Sequence, residues 1–113
     1  MTTPGDERHL CDASVTLAFS ILGKRWNGMI IDALGAGPLP FAALRRAVVG
    51  ISDAVLSDRL SELVEVGLLS REVAPGPPVA VSYALTDRAT GLLPILDQLG
   101  GWAHANLSAP SGH

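Results

Sequence analysis

The side chains able to do chemistry in this sequence crowd around one short stretch. Between Gly50 and Gly67 stand Ser52, Asp53, Ser57, Asp58 and Arg59, with Arg45 and Arg46 just ahead of the first glycine. Hydroxyls near a helix N-terminus can bind phosphate oxygens. An arginine fork fits a phosphate or a guanine edge, and a carboxylate accepts from the amino group of cytosine. Lys24, Arg25 and Arg71 are further cations available to a phosphate. Each residue also has a plainer reading. Ser52 and Asp53 suit a helix cap, Asp58 a solvated face, Arg59 a partner for Glu62, and Arg45 and Arg46 ordinary solubility. Lys24 and Arg25 fall at the expected start of a helix, where the macrodipole disfavours cations, and a phosphate partner would offset that cost.

Other chemistries lack their residues. The single cysteine, Cys11, cannot form an intramolecular disulfide or a cysteine-rich zinc site. His9, His104 and His113 lie near the two ends without metal-ligand spacing. No paired carboxylates and no nucleophile with a partnered base stand out. Gly35-Ala36-Gly37 follows no strand and is succeeded by Pro38 and Pro40, so it is not a nucleotide loop. We therefore expect no enzyme, no metal and no cofactor. No apolar run approaches the roughly 18 residues of a membrane span. The opening residues lack the basic start and apolar core of a signal peptide, so a cytoplasmic location is expected.

With 113 residues, 48% of them hydrophobic, one domain with a true core is expected. The net charge of −3 counts against a nucleic-acid partner. Its distribution softens that objection: residues 23–60 hold five basic and three acidic side chains, a local +2. So modest a charge implies modest affinity per half-site and favours a dimer.

The elements that must position these residues follow from periodicity. A first helix is expected from Ala13 to Leu22, capped by Asp12 and apolar over most of its circumference. Such a helix wants burial on more than one side. A second is expected from Arg25 to Leu34, with Trp26, Met29, Ile30, Ala33 and Leu34 as its core stripe. A third begins near Phe41 with Phe41, Leu44 and Val48 inward. The fourth has Ser52 as N-cap and an Ile51–Leu56 staple. Leu56, Leu60 and Leu63 form its buried face, and Gly67 ends it. Strands are expected over Leu69–Val73 and Val79–Leu85, joined by the stiff tip Pro75-Gly76-Pro77-Pro78. A last helix follows Thr86, bent at Pro94, with Leu92, Leu96, Leu99 and Trp102 along one stripe.

The fold class so read is α+β, mainly α: a winged helix-turn-helix with flanking N- and C-terminal dimerisation helices. Its boundaries are a disordered lead over residues 1–10, the domain over 11–107 and a disordered tail over 108–113. The ordered set Leu22-Gly-Lys-Arg-Trp26, Gly37-Pro-Leu-Pro-Phe41, Gly50-Ile-Ser-Asp-Ala-Val-Leu-Ser-Asp-Arg-Leu60, Glu62-Leu-Val-Glu-Val-Gly-Leu-Leu69 and Pro77 to Thr86 resembles the HxlR-type winged helix-turn-helix regulators, a group related to the MarR type. The resemblance spans about residues 11 to 103. It implies a homodimer, a recognition helix near Ser52–Val66, a wing near Val73–Val81, and repression or activation of a nearby gene.

The expected function is thus sequence-specific binding of double-stranded DNA, as a repressor, on a pseudo-palindromic operator. Val15, Phe19, Leu92, Leu96, Leu99 and Trp102 would form the dimer interface. Some relatives of this type sense oxidants or electrophiles through a cysteine before the first helix, a position near that of Cys11. A small aromatic effector between the first and last helices is the other regulatory expectation. The competing function is a winged-helix module for protein interaction or ligand binding, without DNA.

Overall fold

The computed structural model of the chain describes residues 4–107, with side chains from Ala13 to Leu107. The order is α1 (Pro4–Leu22), α2 (Asn27–Ala33), a 3-10 turn (Leu34–Ala36), β1 (Leu39–Pro40), α3 (Phe41–Ala47), α4 (Asp53–Glu65), β2 (Leu69–Ala74), β3 (Ala80–Leu85), α5 (Asp87–Thr90) and α6 (Leu92–Asn106). The expected winged helix-turn-helix is present as α3, α4 and the β2–β3 hairpin.

Helix α4 forms where its local signals place it. The Ser52 hydroxyl accepts the Val55 N–H at 3.2 Å, satisfying one of the unpaired donors of the first turn. Ile51 and Leu56 are both buried, as the staple requires. At the far end Leu68 N–H donates to Leu63 O, and Gly67 N–H to Val64 O. That double closure is a Schellman motif, and Gly67 at φ +85° supplies the left-handed residue it needs. Leu56, Leu60 and Leu63 are wholly removed from water against Ile30, Ile31, Leu34, Leu44 and Val48.

The sheet has the order β1-β3-β2, all antiparallel. Leu69 pairs with Leu85, Arg71 with Tyr83 and Val73 with Val81. Beyond Ser70 the first hairpin strand is exposed, so the wing projects from the body. Strand β1 was not expected: two residues, Leu39 and Pro40, pair with Tyr83 and Ser82 and fasten the start of α3 to the wing's base. Such a strand is too short to carry a period-two pattern.

Four expectations need correction. First, α1 starts at Pro4, not Ala13, so part of the expected disordered lead is helical and Asp12 lies inside the helix. Proline is favoured at a first helical position, and Asp6 and Glu7 suit the positive end of the dipole. Residues 1–3 and the expected tail over 108–113 lie outside the described residues.

Second, α2 starts at Asn27, and Lys24 and Arg25 stand in the preceding turn. The dipole penalty assigned to them therefore does not arise. Third, of the expected core stripe Ile30 and Leu34 are buried and Trp26 and Ala33 pack against the core, but Met29 is 47% exposed. Ile31, outside that stripe, is fully buried, so the buried face of α2 is shifted toward it. Fourth, the last helix is two helices. The chain breaks at Gly91, and Pro94 falls in the first turn of α6, where no intrahelical N–H is required. Thr86 caps α5 as expected: its hydroxyl accepts the Ala89 N–H at 3.4 Å and donates to Gly67 O at 2.8 Å.

Candidate nucleic-acid interface

The outer surface of α4 carries Ala54, Ser57, Asp58, Ser61 and Glu65, all exposed. Facing its C-terminal half across a groove are Arg71 of β2 and Tyr83 of β3. Arg45 and Arg46, in the last turn of α3, are both exposed, and Arg45 reaches Asp53 in the first turn of α4. Of the expected contacts, the structure brings Ser57 and Arg71 together in one groove flanked by helix and wing, lined also by Ser61, Val64, Glu65 and Tyr83; Asp58, Arg45 and Arg46 are exposed outside that lining. Tyr83 and Ser61 belong to this groove and were missed by sequence reasoning. Tyr83 sits in the alternating pattern of β3, and only the Arg71–Tyr83 register reveals its neighbour.

Several of the expected contacts have other partners. Ser52 is engaged as the cap of α4. Asp53 holds Arg45, with Nη1 to Oδ1 at 3.0 Å, an exposed pair across the helix-turn-helix turn. Arg25 lies over the Trp26 ring, 4.5 Å from its centroid. That cation–π contact helps seat Trp26, whose ring approaches the turn at Gly50. Arg59 points inward and donates to Glu62 Oε1 at 3.3 Å, the plainer of its two readings. Lys24 donates to the other oxygen of the same carboxylate, Glu62 Oε2.

A third donor reaches Glu62. Asn27, fully buried, donates from Nδ2 to the Ile21 carbonyl at 2.8 Å and to Glu62 Oε1 at 3.4 Å. Its Oδ1 has no partner among the described residues. The Lys24 ammonium holds the Glu62 carboxyl below its ordinary range. Partial burial opposes that shift, and Asn27 and Arg59 reinforce it. Glu62 is therefore a charged junction among three elements. Its links to Lys24 and Asn27 span 38 and 35 residues, a separation that no local motif could signal.

The remaining expected sites separate clearly. The wing tip, Pro75-Gly76-Pro77-Pro78, is fully exposed and carries no cation. Val15 and Phe19 on α1, and Leu99 and Trp102 on α6, are each about half exposed. Leu92 and Leu96 are half-buried and pack against the core of their own protomer. The side chain of Cys11 lies outside the described ones. An effector cleft was expected between the first and last helices. A groove runs between α2 and α6, lined by Met29, Leu96 and Leu99 together with Asp32 and Asp97. Among the described residues no cluster of three or more His, Cys, Asp or Glu could hold a metal ion. No described helix is long and apolar enough to cross a membrane.

Known proteins share this arrangement. The HTH-type transcriptional regulator YodB of Bacillus subtilis is 42% identical over 86 residues, covering 76% of this chain and 77% of YodB. The reduced form of YodB superposes with a TM-score of 0.74 at 36% identity, over 96% of this chain and 97% of that one. Quinone-bound YodB does so with a TM-score of 0.71, also at 36% identity, over 81% of this chain and 96% of that one. The model of the HxlR-like helix-turn-helix family matches residues 21–111. The chain belongs to the HxlR-like helix-turn-helix family of DNA-binding transcriptional regulators.

Proposed function

We propose that the protein is a homodimeric repressor that reads a pseudo-palindromic operator in double-stranded DNA, in the cytoplasm. The observation that carries this reading is the groove beside α4. Ser57, Ser61 and Glu65 of the helix line it opposite Arg71 and Tyr83 of the wing, Asp58 is exposed on the same helix, and Arg45 is tied to the helix's first turn through Asp53. Short hydroxyls and a carboxylate suit base edges, and the arginines suit backbone phosphates. The arginine-free wing tip would lie along the minor groove through proline and valine.

Dimerisation is supported by the apolar side chains that α1 and α6 leave in water, Val15, Leu17, Phe19, Ile95, Leu99 and Trp102. Exposed apolar surface on this scale marks an interaction site. Two α4 helices must then sit about 34–36 Å apart, or a multiple of it, to enter successive major grooves on one face of DNA. An effector acts by altering that spacing. The quinone-bound form of the relative YodB supports an oxidant or electrophile as effector, with Cys11 on α1 as its receiver.

The test is fluorescence anisotropy of labelled DNA from upstream of the coding sequence, at two salt concentrations, with and without mild oxidant. Tight, salt-weakened binding that a random duplex does not match is the expected result. Loss of binding on oxidation, abolished in Cys11→Ser, assigns the sensor. Equal, weak binding to every duplex would instead favour a protein-interaction module, the reading suggested by Asp58 and Glu65 on the exposed face of α4.

A further inference from the structure

Arg59 stands on α4 next to the exposed Asp58, and its guanidinium is engaged along its own helix. Its side chain is only 24% exposed and donates to Glu62. Lys24, in the turn after α1, gives its ammonium to the same carboxylate. Asn27 completes the junction: it bonds Glu62 on one side and the Ile21 carbonyl of the last turn of α1 on the other. Because its Oδ1 has no partner among the described residues, those two bonds alone fix the amide. One carboxylate therefore occupies two cations and is itself anchored to the end of α1.

We propose that Glu62 is a specificity-determining positioning residue: it withholds the charges of Lys24 and Arg59 from DNA phosphates. The inference rests on the DNA-binding reading of α4. Binding to arbitrary sequence is driven by cations that displace counterions from phosphates, and it carries no sequence information. A cation committed to a carboxylate does not contribute to that term. With Lys24 and Arg59 held by Glu62, the exposed face of α4 offers Ser57, Asp58 and Ser61 to base edges, with fewer cations pulling it onto any duplex. The local excess of positive charge over residues 23–60 is thereby reduced at the surface that faces DNA. Glu62 touches no base in this scheme. It acts through Arg59 and Lys24.

The experiment uses the full chain and its Glu62→Gln variant, each checked by thermal melting. Affinity for a short random-sequence duplex and for the upstream duplex is measured across a range of salt. Release of the two cations steepens the dependence of log K on log salt for the random duplex by roughly 0.9 per cation that reaches a phosphate. The preference for upstream over random DNA shrinks at the same time. Adding Arg59→Gln to Glu62→Gln removes one such increment.

A folded Glu62→Gln protein with an unchanged slope overturns the inference. So does an equal loss of affinity for both duplexes with a lower melting temperature, the mark of a purely structural role. Lys24→Gln, on an exposed turn, keeps the question answerable if Glu62→Gln does not fold. Its slope is expected to equal that of the wild type, and a drop of roughly 0.9 would mean that Lys24 already contacts phosphate. Failure of the wild type to bind either duplex removes the DNA reading and this inference together. Wild-type binding with unmoved slopes removes this inference alone.

Discussion

Arg45 Nη1 lies 3.0 Å from Asp53 Oδ1, so an ion pair joins the last turn of α3 to the first turn of α4 across the helix-turn-helix turn. Each charge also sits at the helix end that its sign favours. Both side chains are at least half exposed, and exposed pairs are worth about 0.2–1 kcal/mol after solvent screening. Asp53→Asn should therefore cost no more than about 1 kcal/mol by urea denaturation. It frees Arg45 at the same time, so binding to a random duplex should tighten. A stability loss well beyond that range would mean that the pair sets the helix crossing and not merely the surface charge.

Thr86 ties two parts of the chain together. Its hydroxyl caps α5 and donates to the Gly67 carbonyl just past the end of α4. Thr86→Val removes both, and should cost about 1–2 kcal/mol of unfolding free energy. Thr86→Ser should recover most of it. Chemical denaturation of the three proteins checks this, and equal midpoints for valine and threonine would show that the cap carries no weight.

The apolar side chains of α6 divide by exposure. Leu99 is 47% exposed, whereas Leu96 packs against the protomer's own core. Leu99→Asp should yield a folded monomer, with unchanged far-UV circular dichroism, a halved mass by sedimentation and no operator binding. Leu96→Asp should damage the protomer as well and is the poorer probe. A Leu99→Asp dimer would place the interface elsewhere.

Glu62 gives stability a pH dependence of fixed sign. Its carboxyl is held below its ordinary value of 4.5 by Lys24 first, with Asn27 and Arg59 assisting and burial opposing. The folded state thus binds this proton less readily than the unfolded chain. The stabilisation is complete above 4.5 and is lost as pH falls through the lower, folded value. Urea midpoints measured downward through the carboxylate range should fall more steeply for the wild type than for Glu62→Gln. Parallel curves would mean that the Lys24 contact is not maintained in solution.

Much of the fold was legible because α4 announces itself locally. The Ser52 cap, the Ile51–Leu56 staple, the three buried leucines and Gly67 all lie within one short span and agree. The elements that escaped are those settled by distant partners. Strand β1 exists because Tyr83 and Ser82 are there to pair with it. On α2, Trp26, Ile30, Ala33 and Leu34 fell where expected, while the exchange of Met29 for Ile31 is settled only by packing in the common core. In the groove, Ser57 and Arg71 were picked out by residue type, whereas Tyr83 needed the strand register. The destination of Lys24 was not legible, since a carboxylate 38 residues away leaves no trace in the spacing. The Arg59–Glu62 contact, three residues apart on one helix, was the part of that junction the sequence could offer.

The residues that seat α4, namely Leu56, Leu60 and Leu63, share no position with those it turns outward, Ala54, Ser57, Asp58, Ser61 and Glu65. The scaffold of this helix and the surface it presents are therefore carried by separate residues. On the proposed DNA reading, substitutions confined to the outward five change what the helix meets and leave the buried leucines that hold it untouched, so a change of target asks for no rebuilding of the core.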